Sequence, residues 1–357
     1  MRPKLQYLDD DGNLLREHIH QVPDFIAHAD EIVDAYRWMC LTRAFDQKAV
    51  AMQRTGVIGT YPSGLGQEAI SVACGRALHQ DDVFVPYYRD HGTLLIRGHK
   101  ISDLFLYWGG DERGSHSGPV QDMPVCVPIA TQASHAVGIA AALKIQKKQQ
   151  AVLCTLGDGA TSKGDFLEAL NLAGVWHLPV VFVINNNQWA ISVPRNLQSG
   201  APTLAQKAEA AAIPNIQVDG NDYLATFDAI DEALHRARQR KGPSLIEAIS
   251  YRLSDHTTAD DASRYRDSAE VEQAWAREPI KRLQHFIHSQ GWWDEKQELS
   301  WQDHCQTLLA KSVEEYQASE PECAEAMFDH LYQEWPVVLD EQLDLCAQKV
   351  ERNGGGL

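Results

Sequence analysis

Two short runs of apolar residues enclose an amphipathic segment near the middle of the chain, and this order restricts the fold more than any other feature. The runs cover residues 151–156 and 180–184, and Pro179 ends the segment between them, residues 165–176. The apolar side chains of that segment recur at helical spacing: Phe166, Leu170, Ala173 and Trp176. Strand, helix and strand in this order form a βαβ unit, and continuously apolar strands are typical of a parallel sheet covered on both faces.

The neighbouring segments extend this pattern into an α/β fold. A further strand is predicted at residues 244–250, after an amphipathic helix that Gly242 and Pro243 end, and residues 83–85 form another apolar stretch. Helical patterns dominate from about Ser268 onward. The sequence therefore predicts a largely parallel sheet flanked by helices, followed by a helical C-terminal region.

The same patterns suggest where the chain divides. A polar N-terminal stretch precedes a helix that the spacing of apolar residues predicts at about residues 30–55. We expect an N-terminal arm and helix in residues 1–45, the α/β domain in residues 46–266, and the helical region in residues 267–357.

Composition and charge exclude several classes of protein. With 44% apolar and 23% charged residues, the 357-residue chain has the composition of an ordinary globular protein. Its 49 acidic and 32 basic side chains give a net charge of −17, which disfavours nucleic acid or an anionic membrane as the main partner. No apolar run reaches the length of a membrane span, and the N-terminus lacks the apolar core of a signal peptide.

The cysteines indicate a reducing compartment. There are seven, an odd number, and no two are spaced as a CxxC pair, so neither a zinc ribbon nor a disulfide framework is suggested. We therefore expect a cytoplasmic protein.

Polar residues follow two consecutive strands of the predicted sheet. Gly157, Asp158 and Gly159 end the first strand, and Asn186 and Asn187 end the second. Because the carboxyl ends of neighbouring parallel strands lie at the same edge of a sheet, the Asp and Asn side chains should lie close together. A carboxylate, an amide oxygen and a backbone carbonyl from the next turn are ligands suited to Mg²⁺, which takes its remaining ligands from phosphates and water. The two motifs at this spacing form a thiamine diphosphate signature.

Two more segments carry functional side chains. Tyr88 and Arg89 follow the apolar stretch at 83–85, and an arginine suits bidentate binding of a diphosphate. Residues 252–266 form a polar segment beyond a strand end, which is a natural place for an active-site lid. Within it, His256 is a candidate proton donor or phosphate contact.

The chain resembles the alpha subunits of the thiamine-dependent decarboxylating component of 2-oxo acid dehydrogenase complexes over most of its length. The resemblance rests on these stretches: IGTYPSGLGQEA, YYRDHG, PIATQ, GDGATSKGDFLEALN, INNNQWAIS, VDGND, SLIEAISYR and HTTADDASRYR. Two downstream stretches, EPIKRL and SQGWWDEKQE, are most similar to the branched-chain member. The resemblance therefore implies the thiamine diphosphate-binding fold, with oxidative decarboxylation of 3-methyl-2-oxobutanoate favoured over pyruvate or acetoin chemistry.

The resemblance also assigns site residues. It implies that Asp158, Asn187 and the carbonyl of Trp189 hold Mg²⁺. It places the following residues around the cofactor: Tyr88, Arg89, Ile129, Gly157, Asp158, Gly159, Ala160, Asn187 and His256. His256 is the expected catalytic residue beside the cofactor, with Arg252 and Tyr265 ordering the lid.

A structural potassium site in the family matches four residues here: Cys126, Pro128, Thr131 and Gln132. Cys126 stands where the branched-chain enzyme has a serine, and a thiol is a poor ligand for K⁺. The resemblance implies that a glutamate of a separate beta subunit activates the cofactor. It thus implies an alpha-two beta-two heterotetramer, which passes its acyl group to a lipoyl group on a transacylase core.

Two other classes of function stay open at this point. A non-catalytic paralogue would keep the fold for assembly, but Asp158, Asn187 and Arg89 are all present in this chain. A nucleotide-binding oxidoreductase would carry a GxGxxG turn between a strand and a helix, and no such turn occurs.

Overall fold

The computed structural model describes residues 4–15, 23–115, 117–329 and 331–352. Within the described residues, no helix is long and apolar enough to pass through a membrane.

The chain divides into two compact units, Met1–Val313 and Glu314–Leu357. The first contains the whole sheet. The second contains the end of one long helix, two 3₁₀ turns and the last helix. The three-part division expected from the sequence stays a prediction.

The helices of eight or more residues are α1 (Ala29–Arg54), α2 (Glu68–Ala77), α4 (Ile101–Gly109), α5 (Thr131–Ile145), α6 (Gly164–Trp176), α8 (Tyr223–Arg238), α9 (Ser268–Ala276), α10 (Pro279–Ser289), α11 (Glu295–Gln317) and α12 (Asp340–Arg352). Two shorter helices are α3 (His91–Ile96) and α7 (Arg195–Gln198). The strands are β1 (Val83–Val85), β2 (Val152–Gly157), β3 (Val180–Asn186), β4 (Trp189–Ala190), β5 (Val193–Pro194), β6 (Asn215–Asp219) and β7 (Ser244–Ile249). Turns of 3₁₀ helix are Asp24–Ala27, Glu112–Ser115, Asp158–Ser162, Ala205–Ala211, Ala262–Arg264, Ala324–Met327 and Val337–Leu339.

Five strands form one parallel sheet in the order β1-β2-β3-β7-β6, and β4 and β5 form a separate antiparallel hairpin. The predicted fold is confirmed. Every residue of β3 and all of β2 except Gly157 are buried, as their continuous apolar character predicts. In register, Gly157 pairs with Asn185, and Asn186 pairs with Ile249, so the polar ends of β2, β3 and β7 lie at one edge.

Helices cover both faces of this sheet. On one face, alternate residues of β2 (Val152, Cys154 and Leu156) join a core cluster with side chains of α5 and α6. The intervening Leu153 is also fully buried, and α8 contacts β2, β3, β6 and β7. Asp222 caps α8 by accepting hydrogen bonds from two backbone N–H groups, an arrangement worth about 1 kcal/mol.

Candidate active site

A cavity of about 230 Å³ lies at the edge where the parallel strands end. Ten of the predicted site residues line it: Tyr88, Arg89, Ile129, Gly157, Asp158, Gly159, Ala160, Asn187, Trp189 and His256. The remaining two, Arg252 and Tyr265, do not line it but contact residues that do. The strand ends thus bring together side chains that are far apart in the sequence.

Asp158 is the acidic group of the cavity. Its side chain is 2% exposed, and burial raises the pKa of its carboxyl group to about 6. The Oδ2 atom is buried without a hydrogen-bond partner. A buried carboxylate oxygen normally has a partner, so this atom is suited to a cation that the protein itself does not supply.

Asn187 follows β3 and lines the same cavity as Asp158. Its Oδ1 atom accepts a hydrogen bond from the backbone N–H of Trp189 at 3.2 Å. Gln188 between them has a φ of 73°, in the left-handed region, so the chain reverses sharply there. This turn sets the carbonyl of Trp189 next to Arg252, whose Nη1 donates to it at 3.3 Å.

Gly159 packs closely against the β4–β5 hairpin, and its φ is not in the left-handed region. A Cβ atom at this position would lie 3.0 Å from the Cβ atom of Ala190 in the β4–β5 hairpin. A side chain at this position would therefore require the hairpin to move by a few tenths of an ångström.

Arg89 supplies positive charge to the same cavity. Its side chain is 4% exposed, with Nη1 donating to the Ser63 carbonyl at 2.6 Å and Nη2 donating to the His256 carbonyl at 2.7 Å. Nη2 also lies 3.0 Å from Nδ1 of His256. Because a guanidinium has five N–H groups, this anchored arginine retains donors for an anion in the cavity.

His256 is held in its neutral form. Arg89 and Arg252 both direct N–H groups at its Nδ1 atom, at 3.0 and 3.4 Å, so Nδ1 accepts and the ring proton lies on Nε2. Burial, followed by the positive charges of Arg89 and Arg252, lowers the pKa of His256 to about 3. In the chain alone, His256 is therefore a hydrogen-bond donor through Nε2. Of the two predicted roles, a phosphate contact fits this state better than a proton donor.

Arg252 and Tyr265 organise the segment that carries His256. Arg252 is fully buried and donates to the Ile191 carbonyl at 2.9 Å and to the Tyr265 hydroxyl at 2.8 Å. The Tyr265 hydroxyl donates to Asp260, which also accepts the backbone N–H of His256 at 2.9 Å. The predicted lid is thus fixed to the β4–β5 hairpin by a buried arginine.

Two residues that line the cavity have left-handed backbone conformations. Ala130 has a φ of 68° and Ile191 a φ of 56°. A β-branched residue in the left-handed region is unusual and costs about 1–3 kcal/mol. Both residues line the cavity, together with Ile129, whose side chain is 44% exposed. Such strain is typical of functional sites.

The donor set fits a magnesium diphosphate better than a metal held by protein alone. In the described part of the chain, no group of three His, Cys, Asp or Glu residues is placed to hold a metal ion. Asp158 is the single carboxylate that lines the cavity, beside the amide of Asn187 and the carbonyl of Trp189. Mg²⁺ characteristically takes one or two carboxylates and completes its shell with phosphate and water oxygens.

A protein-family model described as "Dehydrogenase E1 component" matches residues 36–325. The chain belongs to this family. E1 components are thiamine diphosphate-dependent oxidoreductases of 2-oxo acid dehydrogenase complexes, as the resemblance in the sequence implied.

Two similar relatives support the assignment. A protein of Acholeplasma laidlawii named "Pyruvate dehydrogenase E1 component subunit alpha" is 41% identical over 320 residues, covering 88% of this chain and 92% of that protein. A protein of the same name from Staphylococcus aureus strain Mu50 is 35% identical over 347 residues, covering 97% and 93%. The chain is therefore an E1 alpha subunit, and neither of these relatives is named as a branched-chain enzyme.

The predicted potassium site of this E1 chain stays a prediction. Burial raises the pKa of the Cys126 thiol, which donates instead to the Pro128 carbonyl at 3.3 Å. Gln132 donates through Nε2 to the Thr155 carbonyl, while its buried Oε1 has no partner. Thr131 is the first residue of α5. One orphaned amide oxygen and a neutral thiol are a weak donor set for a cation.

A buried network behind Arg89 was not expected from the sequence. The Ser63 hydroxyl donates to Asp46 at 2.6 Å, and the Ser63 carbonyl accepts from Arg89. Asp46 also accepts from the Tyr61 hydroxyl at 2.8 Å, and that hydroxyl lies 3.2 Å from Nδ1 of His91. These contacts join residues up to 30 positions apart, so spacing in the sequence gives no sign of them.

The same network predicts a pH dependence of stability. Trp108 donates to Nε2 of His91 at 3.2 Å, which requires a neutral ring, and burial followed by the charge of Arg89 lowers the pKa of His91 to about 3. The unfolded chain binds a proton near pH 6.5, so stability from this group is lost as pH falls below that value. Between pH 7 and pH 5 we expect His91 to account for a loss of about 2 kcal/mol.

Denaturant unfolding of the wild-type chain and of His91→Gln at both pH values measures this contribution. The difference in free energy of unfolding between wild type and variant should be about 2 kcal/mol smaller at pH 5 than at pH 7. An advantage that is equal at pH 7 and pH 5 would show that His91 is not held neutral by the fold.

Proposed function

We propose that this chain is the alpha subunit of a pyruvate-decarboxylating E1 component and that it binds the Mg²⁺–diphosphate half of thiamine diphosphate. The observation that carries the proposal is the orphaned Oδ2 atom of Asp158, buried at the end of β2 in a cavity that Arg89 also lines. A fixed anion and a fixed cation at one strand edge match the opposite charges of a metal ion and a diphosphate.

Each residue would have a separate task. Asp158, the Oδ1 atom of Asn187 and the carbonyl of Trp189 would bind Mg²⁺. Arg89 would hold a phosphate, and His256 would donate to one through Nε2–H. When bound, thiamine diphosphate supplies the carbon nucleophile and the electron sink for decarboxylation. The protein contributes orientation and a partly dry site.

The proposal includes a beta subunit. Activation of the cofactor needs a carboxylate, and Asp158, already assigned to the metal, is the single acidic residue among those that line the cavity. The cavity mouth also exposes apolar side chains, with Ile129 44% and Ile191 57% exposed. A partner that covers this mouth would bury them and supply the missing carboxylate. We further propose transfer of the acyl group to a lipoyl group on a transacylase core.

We propose pyruvate as the substrate for two reasons. The relatives are named pyruvate dehydrogenase subunits, and the stretches most similar to the branched-chain member lie outside the cavity. Residues 278–283 enter α10, and residues 289–298 run from its end into α11; none of them lines the cavity. Their side chains serve the fold: Glu278 pairs with Arg43 at 2.7 Å, and Trp293 packs edge-on against Tyr36. Similarity in these stretches therefore says little about substrate choice.

The substrate assignment can be tested with the assembled enzyme. The chain is produced together with its beta subunit, and kcat/KM is compared for pyruvate and 3-methyl-2-oxobutanoate. We expect at least a tenfold preference for pyruvate, since the two extra methyl groups must fit a pocket shaped for one. A preference for 3-methyl-2-oxobutanoate would restore the branched-chain assignment.

A further inference from the structure

Gln67 contacts the proposed metal ligand Asn187 from outside the cavity. It immediately precedes α2, is 1% exposed and does not line the cavity. Its Oε1 atom accepts a hydrogen bond from Nδ2 of Asn187 at 3.1 Å and another from the hydroxyl of Tyr87 at 3.4 Å. Gln67 therefore touches a candidate ligand of the metal without being able to reach the metal itself.

These contacts determine which end of the Asn187 amide faces the cation. The backbone N–H of Trp189 donates to Oδ1, and Gln67 accepts from Nδ2. If the amide were rotated by half a turn, an NH₂ group would face the N–H of Trp189, and the amide oxygen would face Oε1 of Gln67. Both contacts would then be repulsive, so the pair of partners selects one orientation.

Gln67 is itself held by a chain of hydrogen bonds along the strand ends. The hydroxyl of Tyr87 accepts from Nδ2 of Asn185 at 2.9 Å, and Oδ1 of Asn185 accepts from the hydroxyl of Ser250 at 2.7 Å. Gly66, with a φ of 88°, lets this turn approach the end of β7, where a Cβ atom would lie 2.5 Å from the Tyr251 carbonyl.

One polar group of the Gln67 side chain makes no hydrogen bond. Its Nε2 group is buried without a hydrogen-bond partner. If Gln67 served packing alone, an apolar side chain would avoid the free-energy cost of a buried, unsatisfied NH₂ group. The acceptor Oε1 is the part of the side chain that the site uses.

We propose that Gln67 is a positioning residue that orients the carboxamide of Asn187 so that its oxygen faces the divalent cation. This inference rests on the metal site of the proposed function. Partners of this kind, which hold a ligand without touching the metal, typically change metal affinity by about 10–100-fold when they are removed.

The test compares variants of the chain assembled with its beta subunit. Gln67→Met keeps the length of the side chain but removes the acceptor, and Gln67→Glu keeps an acceptor oxygen. Gln217→Leu is the control, because it removes a side-chain hydrogen bond of another glutamine, which donates to Glu247 at 3.1 Å and does not line the cavity. Calorimetric titration with Mg²⁺ in the presence of thiamine diphosphate gives the metal affinity without turnover.

We expect Gln67→Met to weaken Mg²⁺ binding by about 10–100-fold, Gln67→Glu to recover most of that loss, and the control to match wild type. Wild-type affinity in Gln67→Met, or equal losses in Gln67→Met and Gln217→Leu, would overturn the proposal. If Gln67→Met does not assemble, Gln67→Glu decides: affinity close to wild type supports the role, and a tenfold loss contradicts it.

A parallel titration of Asp158→Ala distinguishes an error in the role of Gln67 from an error in the metal site itself. If Asp158→Ala loses Mg²⁺ binding while Gln67→Met does not, the metal site stands and only the positioning role fails. If Asp158→Ala binds Mg²⁺ as wild type does, the metal site itself is wrong, and the role of Gln67 falls with it.

Discussion

Replacing Asp158 with alanine should abolish magnesium-dependent binding of thiamine diphosphate and, at the same time, leave the unliganded protein at least as stable as wild type. The first effect follows because Asp158 is the single carboxylate that lines the cavity. The second follows because burial raises the pKa of this carboxyl to about 6. At neutral pH the ionised carboxylate therefore destabilises the folded chain relative to the unfolded chain by about 3 kcal/mol. Calorimetry and thermal unfolding measure the two effects separately.

Asp222 provides a matched control. It is also a fully buried aspartate, but its carboxylate accepts backbone hydrogen bonds from Tyr7, Leu8, Leu224 and Ala225. Asp222→Ala should therefore lower stability by about 1–3 kcal/mol and leave the magnesium affinity of the folded protein unchanged. If Asp158→Ala is destabilised like Asp222→Ala and still binds the cofactor with Mg²⁺, Asp158 belongs to the fold and not to the site.

Replacing Arg89 with methionine should weaken thiamine diphosphate binding by a factor of about 10²–10⁴. Two charge-assisted hydrogen bonds to phosphate, at about 1.5–3 kcal/mol each, would be lost. The remaining binding should still respond to Mg²⁺, because Asp158 is intact. This distinguishes the variant from Asp158→Ala, in which the response to Mg²⁺ disappears. Titrations of the cofactor at several Mg²⁺ concentrations record both properties.

Two further variants make the result specific. Arg89→Lys keeps the charge but loses the planar fork that bonds Ser63 and His256, so it should recover only part of the affinity. Arg97→Met removes a buried arginine that pairs with Asp122 at 2.8 Å outside the cavity, and it should reduce stability without changing cofactor affinity. An Arg89→Met chain that binds the cofactor as wild type does would refute the role of Arg89.

The elements around the site could be predicted from sequence because their burial leaves a local signal. Strands β2 and β3 are covered on both faces, so each appears as an apolar run, and α6 between them shows a helical period. Strand β6 was not predicted because it is an edge strand whose first three residues are at least partly exposed, so Asn215–Asp219 has no such run.

Asp158 and Asn187 followed from motif spacing and several other cavity-lining residues from the family resemblance, whereas their supports followed from neither. The pairing of Gly157 with Asn185 puts the two motifs at one edge, which the βαβ pattern already implied. Gln67 immediately precedes α2 but does not cap it with a side-chain hydrogen bond, so no local pattern marks it. Its partner Asn187 is 120 positions away, and contacts over such distances depend on the whole sheet and not on local sequence.

The most direct test of the account is a crystal of the alpha–beta assembly grown with thiamine diphosphate and Mn²⁺ in place of Mg²⁺. Anomalous scattering locates the metal without reference to a model of the site. We predict a single strong peak about 2.1 Å from a carboxylate oxygen of Asp158, from Oδ1 of Asn187 and from the carbonyl oxygen of Trp189, with phosphate and water oxygens completing the shell. Cofactor bound at this edge with the metal peak elsewhere, or with no peak at all, would contradict it.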